Sequence, residues 1–178
     1  MSTPSEPDGL DGPPADPEAV ARKILLDQLA TRARSRKELS DKLASRNVPG
    51  EIATTLLDRF EEVGLVDDGA FARTWVTQRQ QGKGLSRRVL AQELRRKGVD
   101  DEVAKEALDE IDPADELAAA RGLVRKKMRS IQGVDDQVAT RRLVGMLARK
   151  GYPPGLAFGV VREELQRAGR EGVDPEVL

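Results

Sequence analysis

The side chains best able to do chemistry in this chain are cationic, and they come in bands. Residues 79–97 carry Arg79, Lys83, Arg87, Arg88, Arg95, Arg96 and Lys97 against the single acid Glu93. Residues 121–150 carry nine bases, among them Arg125, Lys126, Lys127, Arg129, Arg141, Arg142, Arg149 and Lys150, against Asp135 and Asp136. Guanidinium and ammonium groups at this density suit phosphate oxygens, which accept charge-assisted hydrogen bonds and release counterions when neutralised. Between the two bands, residues 98–116 hold nine acids and one base, Lys105. Fields of opposite sign therefore alternate along the chain, although the formal net charge is only −1. Any one such cluster would equally serve as a solvated helix face. Recurrence at equivalent positions is what would mark a contact surface.

Composition removes many other chemistries. The chain has no His and no Cys, so a Ser-His-Asp triad, an imidazole ligand, a thiolate nucleophile, a disulfide framework and a zinc finger are excluded. The run Gln81-Gly82-Lys83-Gly84 lacks the Walker A pattern and follows a helical stretch rather than a strand, which makes it a poor phosphate loop. With five aromatics in all, Phe60, Phe71, Trp75, Tyr152 and Phe158, a single-strand binder built on base stacking is disfavoured. Phe71 and Trp75, four apart, read first as helix packing. No catalytic residue, cofactor or metal site is expected, and a binding module is favoured over an enzyme. No apolar run approaches the ~20 residues of a membrane span. The N-terminus carries five acids before its first base, unlike a signal or transit peptide. A cytoplasmic protein without membrane association is the default, and a monomer is the expected state.

The elements that must position these charges are helices. Leu39 and Leu43, Phe71 and Trp75, Leu90 and Leu94, and Leu143 and Leu147 each stand four apart, and no sustained period-two alternation appears. Prolines 49, 113, 153 and 154 precede apolar-periodic stretches, where a missing N–H costs nothing. Glycines 64, 82, 84, 98, 151 and 169 stand where helices should stop. Nine helices are predicted, over about 18–31, 35–46, 50–63, 67–81, 86–97, 100–110, 113–130, 136–150 and 154–168.

An internal repeat organises them. SRKELSDKLASRNVPGEIATTLL (35–57) aligns without gaps on SRRVLAQELRRKGVDDEVAKEAL (86–108), and RRLVGMLARKGYPPGLAFGVV (141–161) aligns on the latter. Leu39, Leu90 and Leu143 coincide, as do Leu43, Leu94 and Leu147, then Arg46, Lys97 and Lys150. The expected fold is all-α: a tandem array of three three-helix repeats, helix-turn-helix-like, elongated and curved. The expected divisions are a disordered acidic Pro-rich tail at 1–17, repeats at 18–65, 66–112 and 113–168, and a flexible C-terminal tail at 169–178. A base-reading helix-turn-helix is disfavoured, because the helix that would enter the groove, Asp100–Glu110, carries six acids against Lys105. Contact with the DNA backbone remains open, as does a helical-repeat adaptor for another protein.

The stretch Asp68-Gly-Ala-Phe71-Ala-Arg73-Thr-Trp75-Val-x-x-Arg79, followed by Lys83-Gly84 and Leu90-Ala-x-Glu93-Leu94-x-x-Lys97-Gly98-Val99, closely resembles the signature of the RecX family, bacterial regulators of the RecA recombinase. The resemblance covers about residues 20–166 and is most specific in the middle repeat. It implies a modulator, usually an inhibitor, that binds the RecA–DNA filament and limits recombinase ATPase and strand exchange in DNA repair, recombination and the SOS response. It carries over no catalytic residue. Together with the basic bands, it makes Arg73, Arg79, Lys83, Arg87, Arg88, Arg95, Arg96, Lys97, Arg125, Lys126, Lys127, Arg129, Arg141, Arg142, Arg149 and Lys150 the candidate contacts to the filament, and to single- or double-stranded DNA through its backbone.

Overall fold

A computed structural model describes residues 16–171; the segments 1–15 and 172–178, which hold most of the two expected tails, lie outside the described residues. Nine helices and no strand occur among the described residues. They are α1 Pro17–Thr31, α2 Arg36–Ala44, α3 Gly50–Glu62, α4 Asp68–Lys83, α5 Arg87–Arg96, α6 Asp101–Asp109, α7 Pro113–Met128, α8 Asp136–Arg149 and α9 Pro154–Arg167. Each lies within about two residues of the helix predicted from periodicity.

The local chemistry explains those limits. Asp16, Asp67, Asp100, Asp112 and Asp135 cap α1, α4, α6, α7 and α8, each carboxylate accepting from a backbone N–H of the first turn. Ser86 caps α5 in the same way. Pro49 and Pro153 open α3 and α9, where no side chain is required as an acceptor.

Three cores form, one within each set of three helices. The first is built on Ala21, Leu25, Leu39, Leu43, Leu56, Leu57 and Phe60. The second is built on Phe71, Ala72, Leu90, Leu94, Ala107 and Leu108, and the third on Ala120, Val124, Leu143, Leu147, Val161 and Leu165. The aligned leucines 39, 43, 90, 94, 143 and 147 are all fully buried. The repeated x-L-x-x-x-L is thus the core seam of each second helix, and polar residues fall on its outer side.

By packing, the chain divides into two compact units: one reaches Arg34 and includes Glu38–Val66, the other comprises Ser35–Lys37 and continues from Asp67. The second unit therefore joins α4–α6 and α7–α9 in one body. Their junction is specific. The Ser86 N–H donates to the Lys150 carbonyl at 3.0 Å, Lys150 Nζ donates to the Lys83 carbonyl at 2.9 Å, and the buried Tyr152 hydroxyl donates to the Gly84 carbonyl at 2.8 Å. The start of α5 thus rests on the turn that ends α8. Gly151 makes this possible: φ is +91°, and a Cβ there would lie 2.3 Å from Val89 Cγ2 and 2.4 Å from Ser86 Oγ. A related contact lies within the unit at Gly98, with φ +76°, against which the Lys37 side chain packs. There the Ser35 hydroxyl donates to the Lys97 carbonyl at 2.6 Å.

Candidate nucleic-acid interface

All sixteen candidate bases fall within the second unit, on α4, α5, α7 and α8 or at their ends. Their surroundings separate them into two groups.

The first group is engaged by the protein itself. The Arg79 guanidinium lies over the Trp75 ring at 4.3 Å from its centroid, and Lys97 Nζ lies at 4.9 Å. Trp75 stacks on the buried Phe71 with centroids 5.7 Å apart, and its indole N–H donates to Glu93 Oε2 at 2.9 Å. Arg79 Nε lies 3.4 Å from the same carboxylate oxygen. Glu93, the one acid of the basic band, thus joins α4 to α5. Arg87 pairs with Asp109 at 2.7 Å, and its backbone N–H donates to Glu116 at 2.9 Å. Arg95 pairs with Asp101 at 3.1 Å, and Lys150 bridges to the Lys83 carbonyl.

Arg125 is engaged most completely. Its Nε and Nη2 donate to the two oxygens of Glu164 at 2.7 and 3.0 Å, a bidentate pair, while Arg167 approaches Oε1 at 2.7 Å. Glu164 is only 4% exposed. The hydrogen bond from Arg125 and the two positive charges hold its carboxyl below the ordinary carboxylate range, against the opposing effect of burial. The same hydrogen bond raises the Arg125 guanidinium above its ordinary value. Sequence reasoning missed Glu164. Its signal was an acid on the apolar face of α9, four residues beyond Val160 and beside Leu165, opposite an Arg-rich helix.

The second group has no ion pair among the described residues: Arg73, Lys83, Arg88, Arg96, Lys126, Lys127, Arg129, Arg141, Arg142 and Arg149, all exposed. Four of them stand in register. Arg88 and Arg96 flank Gln92 on the side of α5 opposite Leu90 and Leu94. Arg141 and Arg149 flank Gly145 on the side of α8 opposite Leu143 and Leu147. Arg142 occupies the position equivalent to Val89. Val89 packs on Gly151, whereas Arg142 stands exposed.

The acidic band resolves differently. Of its nine acids, Asp100 and Asp112 cap helices, and Asp101, Asp109 and Glu116 engage Arg95, Arg87 and the Arg87 backbone. Most of the band thus works inside the unit. No group of three or more potential ligands is placed to hold a metal ion among the described residues.

What these features define is a tandem three-helix-repeat protein with an uncompensated cationic outer face on the second helices of its last two repeats. Comparison with known proteins gives the class its name. Models of the first, second and third three-helix domains of RecX match residues 21–60, 67–108 and 114–161. The regulatory protein RecX of Thermobifida fusca is 49% identical over 170 residues, covering 92% of each chain. That of Streptomyces lividans is 48% identical over 159 residues, covering 89% of this chain and 85% of that protein. A crystal structure of RecX from Lactobacillus salivarius superposes with a TM-score of 0.75 at 21% identity, covering 84% of this chain and 97% of that one, a likeness of fold. The chain belongs to the RecX family of regulatory proteins.

Proposed function

We propose that this protein regulates a RecA-type recombinase, most simply as an inhibitor, by binding the recombinase–DNA filament and lowering its ATP hydrolysis and strand exchange without catalysis of its own. Family membership supplies the regulatory role. The observation that supports a nucleoprotein target is the set of exposed bases on α5, α7 and α8 that make no ion pair among the described residues, since an uncompensated cationic face gains most from a polyanionic partner. The acidic helix α6 opposes base readout: Asp101, Glu102 and Glu106 would face phosphates if it entered a groove. Contact is accordingly with backbone phosphates and with recombinase surface.

The test is DNA-dependent ATP hydrolysis by the cognate recombinase, with and without substoichiometric protein. Hydrolysis should fall at ratios well below one protein per recombinase subunit. An unchanged rate at saturating protein overturns the reading.

A further inference from the structure

We propose that Arg141, Arg149, Arg88 and Arg96, in that spatial order, form one continuous line of DNA-phosphate contacts that crosses the junction between the last two repeats. The inference rests on the functional reading above and selects four of its sixteen candidate residues.

Three observations carry it. First, these residues occupy the same two register positions in consecutive repeats: Arg88 aligns with Arg141 and Arg96 with Arg149. Both pairs lie opposite fully buried leucines. Within each helix the two side chains are eight residues apart, roughly 12 Å along the axis. Second, the junction brings the start of α5 to the end of α8. The Ser86 N–H donates to the Lys150 carbonyl at 3.0 Å, so the turn that carries Arg88 lies beside the turn that carries Arg149, although 61 positions separate the two arginines in sequence. Third, all four are exposed and make no ion pair among the described residues, whereas Arg79, Arg87 and Arg125, equally prominent in the sequence, are held by Glu93, Asp109 and Glu164.

The surroundings favour phosphate over an acidic protein surface. Protein interfaces centre on apolar anchors with a polar rim. The exposed large apolar side chains, Val20, Leu26, Val63 and Leu65, all lie outside α5 and α8. Between the arginines stand Gln92 and Gly145, a donor-bearing side chain and a bare backbone, which let a sugar-phosphate chain approach. Arg95 shares the outer face of α5 but gives part of its charge to Asp101, so it contributes less than its neighbours.

The experiment is a salt series of binding isotherms for the full chain on labelled oligonucleotides, single-stranded in one arm and duplex in the other. The chains compared are wild type, the quadruple variant R88Q/R96Q/R141Q/R149Q, and a control with two exposed bases outside the line, R46Q/R162Q. Each phosphate contact contributes about 0.9 to the slope of log affinity against log salt on duplex and about 0.7 on a single strand. The quadruple variant should lose about three from that slope in the arm that binds, and more than tenfold in affinity at moderate salt. The control should keep both, and circular dichroism should show wild-type helicity in all three. A wild-type slope in the quadruple variant overturns the proposal. So does a variant that binds bare DNA as wild type but no longer binds recombinase filaments, because the line would then face protein. If wild type leaves recombinase hydrolysis untouched while the slope still falls in the variant, the phosphate line stands and the regulatory reading fails.

Discussion

At the residue scale, a buried carboxylate and a buried phenol record how the third repeat is held. Glu164 keeps its charge inside the fold because Arg125 and Arg167 surround it. Removing Arg125 leaves a buried carboxylate with one exposed partner, so Arg125→Ala should destabilise the third repeat. The folded-state value of Glu164 is depressed. Its contribution is therefore complete at pH 7 and is lost as pH falls below the ordinary carboxylate range and through the lowered value. Urea melts at pH 7 and in acid should show the gap between wild type and R125A closing. Tyr152 works in the opposite sense. Burial, and then the charge of Glu116, push its hydroxyl up to about 12. The folded state holds that proton where the unfolded chain releases it, so stability falls as pH rises from about 10 to about 12, by roughly 2–3 kcal/mol. Tyr152→Phe should cost about 1 kcal/mol at neutral pH through the lost bond to the Gly84 carbonyl and should flatten that alkaline decline in melts at stepped pH.

At the scale of elements, helix positions were legible and helix contacts were not. Pro113, Pro154 and Gly84 announce their roles to any reader of the sequence, because proline and glycine act through their own backbone geometry. The leucine pairs were equally clear, since period and burial are one property. The acids of 98–116 were harder. Capping by Asp100 and Asp112 is local, yet Glu116 reaching the backbone of Arg87 depends on the packing of α7 against the second repeat. The sixteen bases looked alike in sequence for the same reason: an ion pair spanning 39 residues, as between Arg125 and Glu164, leaves no periodic trace. Gly98 and Gly151 read as helix stops, and their second duty, admitting the side chains of Lys37 and Val89, appears only in three dimensions. Gly151→Ala would combine positive φ with overlap against Val89 and Ser86 and should cost at least about 2 kcal/mol. Thermal melts of G151A set beside an alanine variant of the exposed Gly155, which has open space around it, check that the loss belongs to the junction.

At the scale of the whole molecule, separate cores imply separable stability. Leu43 and Leu94 are both fully buried but belong to different units. Either changed to alanine should cost about 2–5 kcal/mol in its own core. Native-state hydrogen exchange should resolve the two: Leu43→Ala should release amides of α1 and α3 while α7–α9 stay protected, and Leu94→Ala should loosen α4–α6 first. Equal loss of protection along the whole chain in both variants would show one indivisible cooperative unit.

The number of repeats has its own physical signature. Where Gly98 and Gly151 offer bare backbone, the first repeat has Asn47, the one non-glycine residue with positive φ among the described residues, at +57°. At the opposite end, Arg170 folds back onto Asp136 and the carbonyls of Ile131 and Val134, anchoring the chain to the start of α8. Asn47 and Arg170 thus mark the outer repeats in different ways: one carries a left-handed turn on a short polar side chain, the other ties the entry to α8 to the chain just past α9.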